Sequence, residues 1–309
     1  MSSTHPIHSA LSALDGASVW LNSEPLTADG LPGSVGLVDF WTYSCVNWLR
    51  TLPYVRAWQE RYRDRGLVVV GVHAPEFGFE HDLDNVRRAA TELGVGYPVV
   101  IDNDFTIWRS FENHYWPAVY LVDRDGRVRF DHFGEGAYEE SERAIQRLLG
   151  VAGETVRVDA GGLAEAADWG TLRSPETYVG SARGDRRSSD QRGDGLALNQ
   201  WVLAGDWSVS EEAAMLETAA GSITYRFQAR DLNLVLAPPT AGAPVRFAVR
   251  LDGQPPDDDH GLDVDESGEG TVSEPRMYQL VRQRGVIRQR TFEMTFLDPG
   301  AHAYVFTFG

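Results

Sequence analysis

The chain of 309 residues has no lysine and a single cysteine, Cys45. One thiol allows no intrachain disulfide, which excludes both a disulfide-stapled scaffold and a dithiol pair that opens and closes within one chain. With lysine absent, arginine supplies all 28 basic residues against 45 acidic ones. The resulting formal charge of −17 argues against nucleic acid or an anionic membrane as partner. No apolar run reaches the roughly eighteen residues that a membrane-spanning helix needs. The start, Met1-Ser-Ser-Thr-His-Pro-Ile, carries neither the basic nor the apolar region of a secretory leader. A cytoplasmic location is therefore the expectation. No His, Cys, Asp and Glu set shows metal-ligand spacing, His73 and His81 included, so neither metal nor cofactor is expected.

What is present is enough apolar residue for sizeable cores and a length that suits two domains. The first half is organised around Leu37-Val-Asp-Phe-Trp-Thr-Tyr-Ser-Cys45-Val-Asn-Trp48. Leu37, Val38, Phe40 and Trp41 form a nearly continuous apolar run, which predicts a strand covered on both faces of a mainly parallel sheet. After a turn, Trp48, Leu52, Val55, Trp58 and Tyr62 recur at three and four residues, one stripe of a helix. Cys45 falls where the turn becomes the helix. There the positive end of the dipole and unpaired N–H groups favour a thiolate, which makes Cys45 a candidate nucleophile.

This segment resembles the active-site segment of the thioredoxin superfamily, in its TlpA/DipZ branch. Asp39 lies six residues before Cys45, where the resemblance implies a buried carboxylate that relays protons. Pro53, eight residues after Cys45, matches the family's helix-kinking proline. Trp116-Pro117, before the apolar run Ala118-Val-Tyr-Leu-Val122, matches the cis-proline that faces the cysteine and clamps an extended substrate. Trp41, Thr42, Asn47, Trp48 and Trp116 would then line the substrate groove. The departure is in the Cys-x-x-Cys motif, which here reads Cys45-Val46-Asn47-Trp48. The resolving thiol is missing.

With one sulfur, the attack of a thiolate on a disulfide remains available, but release must come from an outside thiol. The expected partner is a protein or a low-molecular-weight thiol or disulfide. Two other readings stand beside this one. In the first the redox site has decayed, Trp48 fills the groove, and the protein is a binding adaptor. In the second, Thr42-x-x-Cys45 is part of a peroxidase signature, with Arg50 to polarise peroxide. The proline expected four residues before that threonine is Val38 instead. The loop His73-Ala-Pro-Glu76-Phe-Gly-Phe leaves the end of a central strand, where open α/β sheets place ligands. Similar segments occur in DipZ-type relatives, so Glu76 is a candidate for moving protons near Cys45. The plainer reading is that Glu76 caps the next turn.

Residues 18–150 are expected to form an α/β thioredoxin-like domain, after an extension over 1–17. A closing helix is predicted over Tyr138–Leu149, ended by Gly150. Residues 151–173, rich in Gly, Ala, Glu and Asp, read as a linker. From residue 174 to 309 apolar residues alternate with polar ones, as in Ile223, Tyr225, Phe227 and in Val245, Phe247, Val249, Leu251. This predicts an all-β sandwich of jelly-roll type. Ser174-Pro-Glu-Thr-Tyr-Val-Gly180 and the ending Tyr304-Val-Phe-Thr-Phe-Gly309 resemble the C-terminal domain of DipZ-type proteins. The sandwich has the shape of carbohydrate-binding modules, with Trp201, Trp207 and Tyr178 available for a sugar platform. Packing in the core is the commoner fate of such rings. Asp263 to Glu274 formally fits a calcium loop, but Pro255-Pro256 and Pro275 flank it where helices should be, so it reads as a connection between strands.

Overall fold

The structure is a computed structural model that describes residues 12–27, 33–188, 195–239 and 243–309. The leader assignment at residues 1–7 lies outside the described residues. The chain divides into two compact units, Met1–Ala164 and Glu165–Gly309. Among the described residues no helix is long and apolar enough to cross a membrane.

The first unit is built on a six-stranded sheet. In chain order its strands are β1 (Trp20–Leu21), β2 (Val35–Trp41), β3 (Leu67–His73), β4 (Val99–Ile101), β5 (Ala118–Val122) and β6 (Val128–Phe133). Their spatial order is β1-β4-β3-β2-β5-β6. The sheet is mixed rather than mainly parallel. β2 runs parallel to β3 and β3 to β4, whereas β1, β5 and β6 are antiparallel to their neighbours. The Asp123–Gly126 turn supplies one reversal: the Asp123 carboxylate accepts the Asp125 and Arg127 N–H groups, and Gly126 takes φ 76°. The apolar run of β2 needs only a central position, which β3 and β5 provide, and all seven of its residues are buried.

The first helix, α1 (Val46–Tyr62), lays Trp48, Leu52, Val55, Trp58 and Tyr62 against the unit's interior, none more than 4% exposed. Pro53 lies inside this helix and has no N–H to donate, so the ladder of hydrogen bonds is interrupted there. Next come α2 (Leu83–Glu92), capped by the Asp82 carboxylate, and the short α3 (Thr106–Ser110), whose first turn donates N–H groups to buried Asp102. The closing α4 spans Tyr138–Leu149 and ends at Gly150 with φ 69°, where a side chain would be strained. Glu142 of α4 accepts from Trp58 Nε1 at 3.2 Å and Tyr62 Oη at 2.6 Å, which pins α4 to α1.

The second unit packs two antiparallel sheets over one core. One holds β15 (Arg276–Arg282), β12 (Asp231–Ala237), β17 (His302–Phe308), β10 (Ala214–Leu216) and β9 (Trp207–Val209) in that order, with β7 (Thr177–Tyr178) on β17. The other holds β14 (Glu269–Val272), β13 (Val245–Leu251), β16 (Arg290–Phe296), β11 (Ser222–Phe227) and β8 (Trp201–Ala204). The alternating residues point inward as their period requires: Ile223, Tyr225, Phe227, Phe292, Met294 and Phe296 meet Leu232, Leu234 and Phe306 in one cluster.

Trp201, Trp207 and Tyr178 do not make a sugar platform. Trp201 is 1% exposed and donates its indole N–H to the Asp185 carbonyl. Trp207 packs edge-on against Phe296, and Tyr178 lies under the Arg183 guanidinium. In the calcium-like segment, residues 269–272 are strand β14, and the Asp263 carboxylate is taken by Arg276 and the Gln279 N–H. Among the described residues no group of three or more His, Cys, Asp or Glu side chains gathers as a metal site.

One glycine of the first unit is set by close approach. A Cβ on Gly71 in β3 would stand 2.9 Å from Trp41 Nε1 and 2.9 Å from Tyr97 Cε2. Both atoms belong to fully buried rings. Gly71→Ala should therefore cost about 1–3 kcal/mol through overpacking. Gly36→Ala, whose Cβ meets only Val122 at 3.6 Å, should leave stability unchanged or slightly raised. Urea midpoints of the two variants check this; equal midpoints would contradict it.

Candidate active site

Cys45 is the N-cap of α1. Its extended backbone, φ −79° and ψ 114°, hands the chain from turn to helix. Its N–H donates to the Thr42 carbonyl at 3.3 Å, which closes the turn, and its own carbonyl accepts the Leu49 N–H at 3.0 Å. The residue is half-buried. Phe40 pairs with Ala118 across β2 and β5, so Trp116 and Pro117 come just before the paired segment, beside this turn. The Trp116-Pro117 peptide is cis, and Cys45 Sγ lies 3.9 Å from the Trp116 carbonyl oxygen. Pro117 is buried and accepts the Gly134 N–H. Trp116 is half-buried and donates its indole N–H to the Ala74 carbonyl at 3.0 Å. Asn47 is half-buried in the first turn of α1, where its carbonyl accepts the Thr51 hydroxyl.

Asp39 is fully buried in β2. Its Oδ2 accepts two donors, Trp48 Nε1 at 3.1 Å and the Tyr97 hydroxyl at 3.1 Å. Its Oδ1 has no hydrogen-bond partner. Burial pushes this acid up to about 6, and the bonds from Trp48 and Tyr97 keep it from rising further. A proton can therefore sit on Oδ1 near neutral pH without disturbing the two donors.

Trp48 does not fill a groove. Its indole is 0% exposed and stacks on Trp41 with centroids 4.3 Å apart and planes inclined by 22°. Trp48 belongs to the apolar stripe of α1, which faces inward, and the Asp39 carboxylate beneath it accepts the indole N–H. Trp41 and Thr42 are likewise fully buried, so the groove assigned to these three residues is corrected: none of them is exposed to line one.

Of the loop after β3, Glu76 is half-buried and gives its backbone N–H to Glu80 Oε2 at 2.6 Å. Sequence reasoning passed over Glu80, the fully buried carboxylate of this loop. Its Oε1 accepts the hydroxyl of Ser44, the residue before Cys45, at 2.5 Å. Burial pushes Glu80 up to about 7, opposed by the Ser44 bond. Also unanticipated was Tyr97, since its approach to Asp39 depends on the pairing of β3 with β4. His73, read only as a failed metal ligand, is buried with neither ring nitrogen partnered and lies edge-on to Trp41 at 4.9 Å. Burial lowers it to about 3, so it is a neutral imidazole. Arg50 is 3% exposed and bonded to Glu135 at 2.7 Å.

Comparison with known proteins fits both units. A family described as "Thioredoxin like C-terminal domain" matches residues 174–309. The protein DipZ of Mycobacterium tuberculosis is 35% identical over 258 residues, which is 78% of this chain and 36% of DipZ. The chain thus spans about a third of the length of that relative. The thiol-disulfide oxidoreductase YkuV of Bacillus subtilis is 30% identical over 136 residues, 44% of this chain and 91% of its own. A thioredoxin-like protein solved in its oxidised form aligns at 31% identity over 44% of this chain and 90% of its own, with a TM-score of 0.40.

The buried Asp39 carries a consequence for stability. An acid whose folded pKa, about 6, lies above its ordinary 3.8 supports the fold only while protonated. Stability is then lost as pH rises from about 4 through about 6, by on the order of 2–3 kcal/mol. Asp39→Asn removes this loss, so its stability relative to the parent should climb across that window and level off above it. Urea unfolding at stepped pH measures the difference; a difference independent of pH would contradict the assignment.

Proposed function

This chain belongs to the DipZ/TlpA-type thioredoxin-like proteins, and on that premise we propose that it is a single-cysteine thiol-disulfide oxidoreductase. The observation that carries the reading is a half-buried cysteine at a helix N-cap, its sulfur beside the cis Trp116-Pro117 peptide, with the place of a second thiol taken by an inward-facing indole. On this reading the Cys45 thiolate attacks one sulfur of a substrate disulfide. A Cys45–substrate disulfide forms, the old S–S bond breaks, and the departing thiolate takes up a proton. A second thiol from outside then attacks the substrate sulfur of the mixed disulfide. The products are a new disulfide and the Cys45 thiolate, with no net oxidation. Residues 18–150 carry this chemistry, residues 151–173 are the connecting segment, and residues 174–309 are an accessory domain.

Each residue of the set has a role. Pro117 and the Trp116 carbonyl flank the sulfur, where an extended substrate backbone lies. Asp39 is the proton reservoir, and its unpartnered Oδ1 is the oxygen that gains and loses the proton. Trp48 cannot resolve a mixed disulfide, so the intermediate persists until an external thiol arrives. Substrates are protein disulfides or low-molecular-weight ones such as oxidised glutathione. The peroxidase alternative needs a guanidinium for peroxide; that of Arg50 is buried and bonds Glu135 through Nη1 at 2.7 Å. The adaptor alternative, a decayed redox site, drew support from an indole filling the groove, and that support falls away because Trp48 is buried in the interior.

Alkylation of Cys45 by iodoacetamide should follow a titration whose midpoint lies below about 8.5, the ordinary thiol value. Oxidised glutathione should give a one-to-one mixed disulfide that added thiol releases and Cys45→Ser abolishes. An ordinary midpoint together with no adduct by mass spectrometry would defeat the reading. Stoichiometric peroxide consumption lost in Cys45→Ser would replace it with the peroxidase.

A further inference from the structure

We propose that Glu80 is a positioning residue for Cys45, joining the loop after β3 to the active-site turn through Ser44 and changing that join with its own protonation. The inference rests on the reading of Cys45 as the nucleophile and adds a group that the family resemblance did not point to. Glu80 is fully buried, and both of its oxygens are used. Oε2 accepts the N–H groups of Glu76 at 2.6 Å and Phe77 at 3.1 Å, which holds the short 3-10 turn Gly78–His81 in place. Oε1 accepts the Ser44 hydroxyl at 2.5 Å. Ser44 is 2% exposed and precedes the nucleophile directly in the chain. Two donors from its own loop and the Ser44 hydroxyl from the turn that carries the sulfur thus converge on one carboxylate, and the Thr42 hydroxyl of that turn also favours its charged form.

The donor count decides where a proton goes. Oε2 faces two N–H groups and cannot take one without breaking those bonds. The proton binds Oε1, and the Ser44–Glu80 bond then reverses: the acid O–H donates to Ser44 Oγ, and the serine hydrogen turns elsewhere within the turn. When Glu80 is ionised, the serine hydrogen is held by the carboxylate, and a buried negative charge is bonded to the residue that precedes Cys45. Both effects oppose a second anion at Cys45. When Glu80 is neutral, both are relieved. Cys45 ionisation and Glu80 ionisation are therefore antagonistic.

Several other groups surround this pair. Glu76 and His81 belong to the same loop, and the Glu76 charge adds to the pressure that keeps Glu80 protonated. His73, at the end of β3, is held neutral by burial and titrates far below the range of interest. Asp39, in β2, titrates near 6 and Glu80 near 7.

Glu80→Gln isolates the effect. Its amide oxygen can take the two N–H groups while its NH2 donates to Ser44 Oγ, the neutral-acid arrangement at every pH. The test is the rate of Cys45 alkylation by iodoacetamide against pH. The parent should depart from a single-proton curve near pH 7, with its reactivity held back above it. Glu80→Gln should lose that departure and react roughly three- to tenfold faster at pH 7. Ser44→Ala keeps the charge and removes the donor, so its departure should move to higher pH; this variant carries the test if Glu80→Gln does not fold. A parent that alkylates normally, with both profiles superimposable on its own, overturns the role of Glu80 alone. A parent in which Cys45 is not alkylated at any pH instead defeats the nucleophile reading on which it rests.

Discussion

A hydrogen bond from the Trp48 indole to the Asp39 carboxylate, 3.1 Å long and sealed from solvent, is the constraint around which the first unit is arranged. A carboxylate buried without donors would be costly, and two donors on one oxygen bring that cost within what a folded domain tolerates. Other features follow from it. Trp48 must face inward from α1, Trp41 must stack upon it, and Tyr97 must arrive from the neighbourhood of β4. Gly71 must carry no side chain, because both Trp41 and Tyr97 press on it. The second donor to Asp39 and the missing second thiol are thus the same substitution seen from two sides. A residue that cannot resolve a disulfide is nonetheless fully employed.

That arrangement separates two tasks often combined in one motif. Cys45 sits at the helix N-cap, half-buried, with its sulfur beside the cis Trp116-Pro117 peptide. The buried acids lie elsewhere: Asp39 with its unpartnered Oδ1, and Glu80 bonded to Ser44; on the proposed reading these are the groups that handle protons. Burial holds both acids well above the ordinary carboxylate range, so on the proposed reading the reactivity of the one thiol depends on pH through more than its own ionisation.

Much of the scaffold was legible in the sequence because it follows from period. The stripe Trp48, Leu52, Val55, Trp58 and Tyr62 marked a helix face, and each of these residues is core. The alternation at Ile223, Tyr225 and Phe227 marked a half-buried strand, and these three residues line the sandwich core. Cys45 at a helix start and Pro117 beside it were legible from motif spacing. Trp48 in a groove was inconsistent with its own place in the buried stripe, and packing followed the stripe. What stayed hidden depends on long-range geometry. Glu76 and Glu80 are both carboxylates of one loop, and only the fold decides which one meets Ser44, 36 positions away from Glu80. In the second unit the buried Asp231 is neutralised by Arg230 and Arg282, and Glu165 bonds the same two arginines. That network draws on three separate stretches of chain, so no local pattern announces it.

The most direct test of this account is the titration of the Asp39 carboxyl, followed by carbon NMR in the parent and in Trp48→Phe. Phenylalanine keeps a ring against Trp41 but has no N–H to give. The account predicts a parent midpoint near 6 that moves upward in the variant, since the anion loses a donor while burial remains. A midpoint that stays in place or falls would contradict the claim that the indole holds this carboxylate.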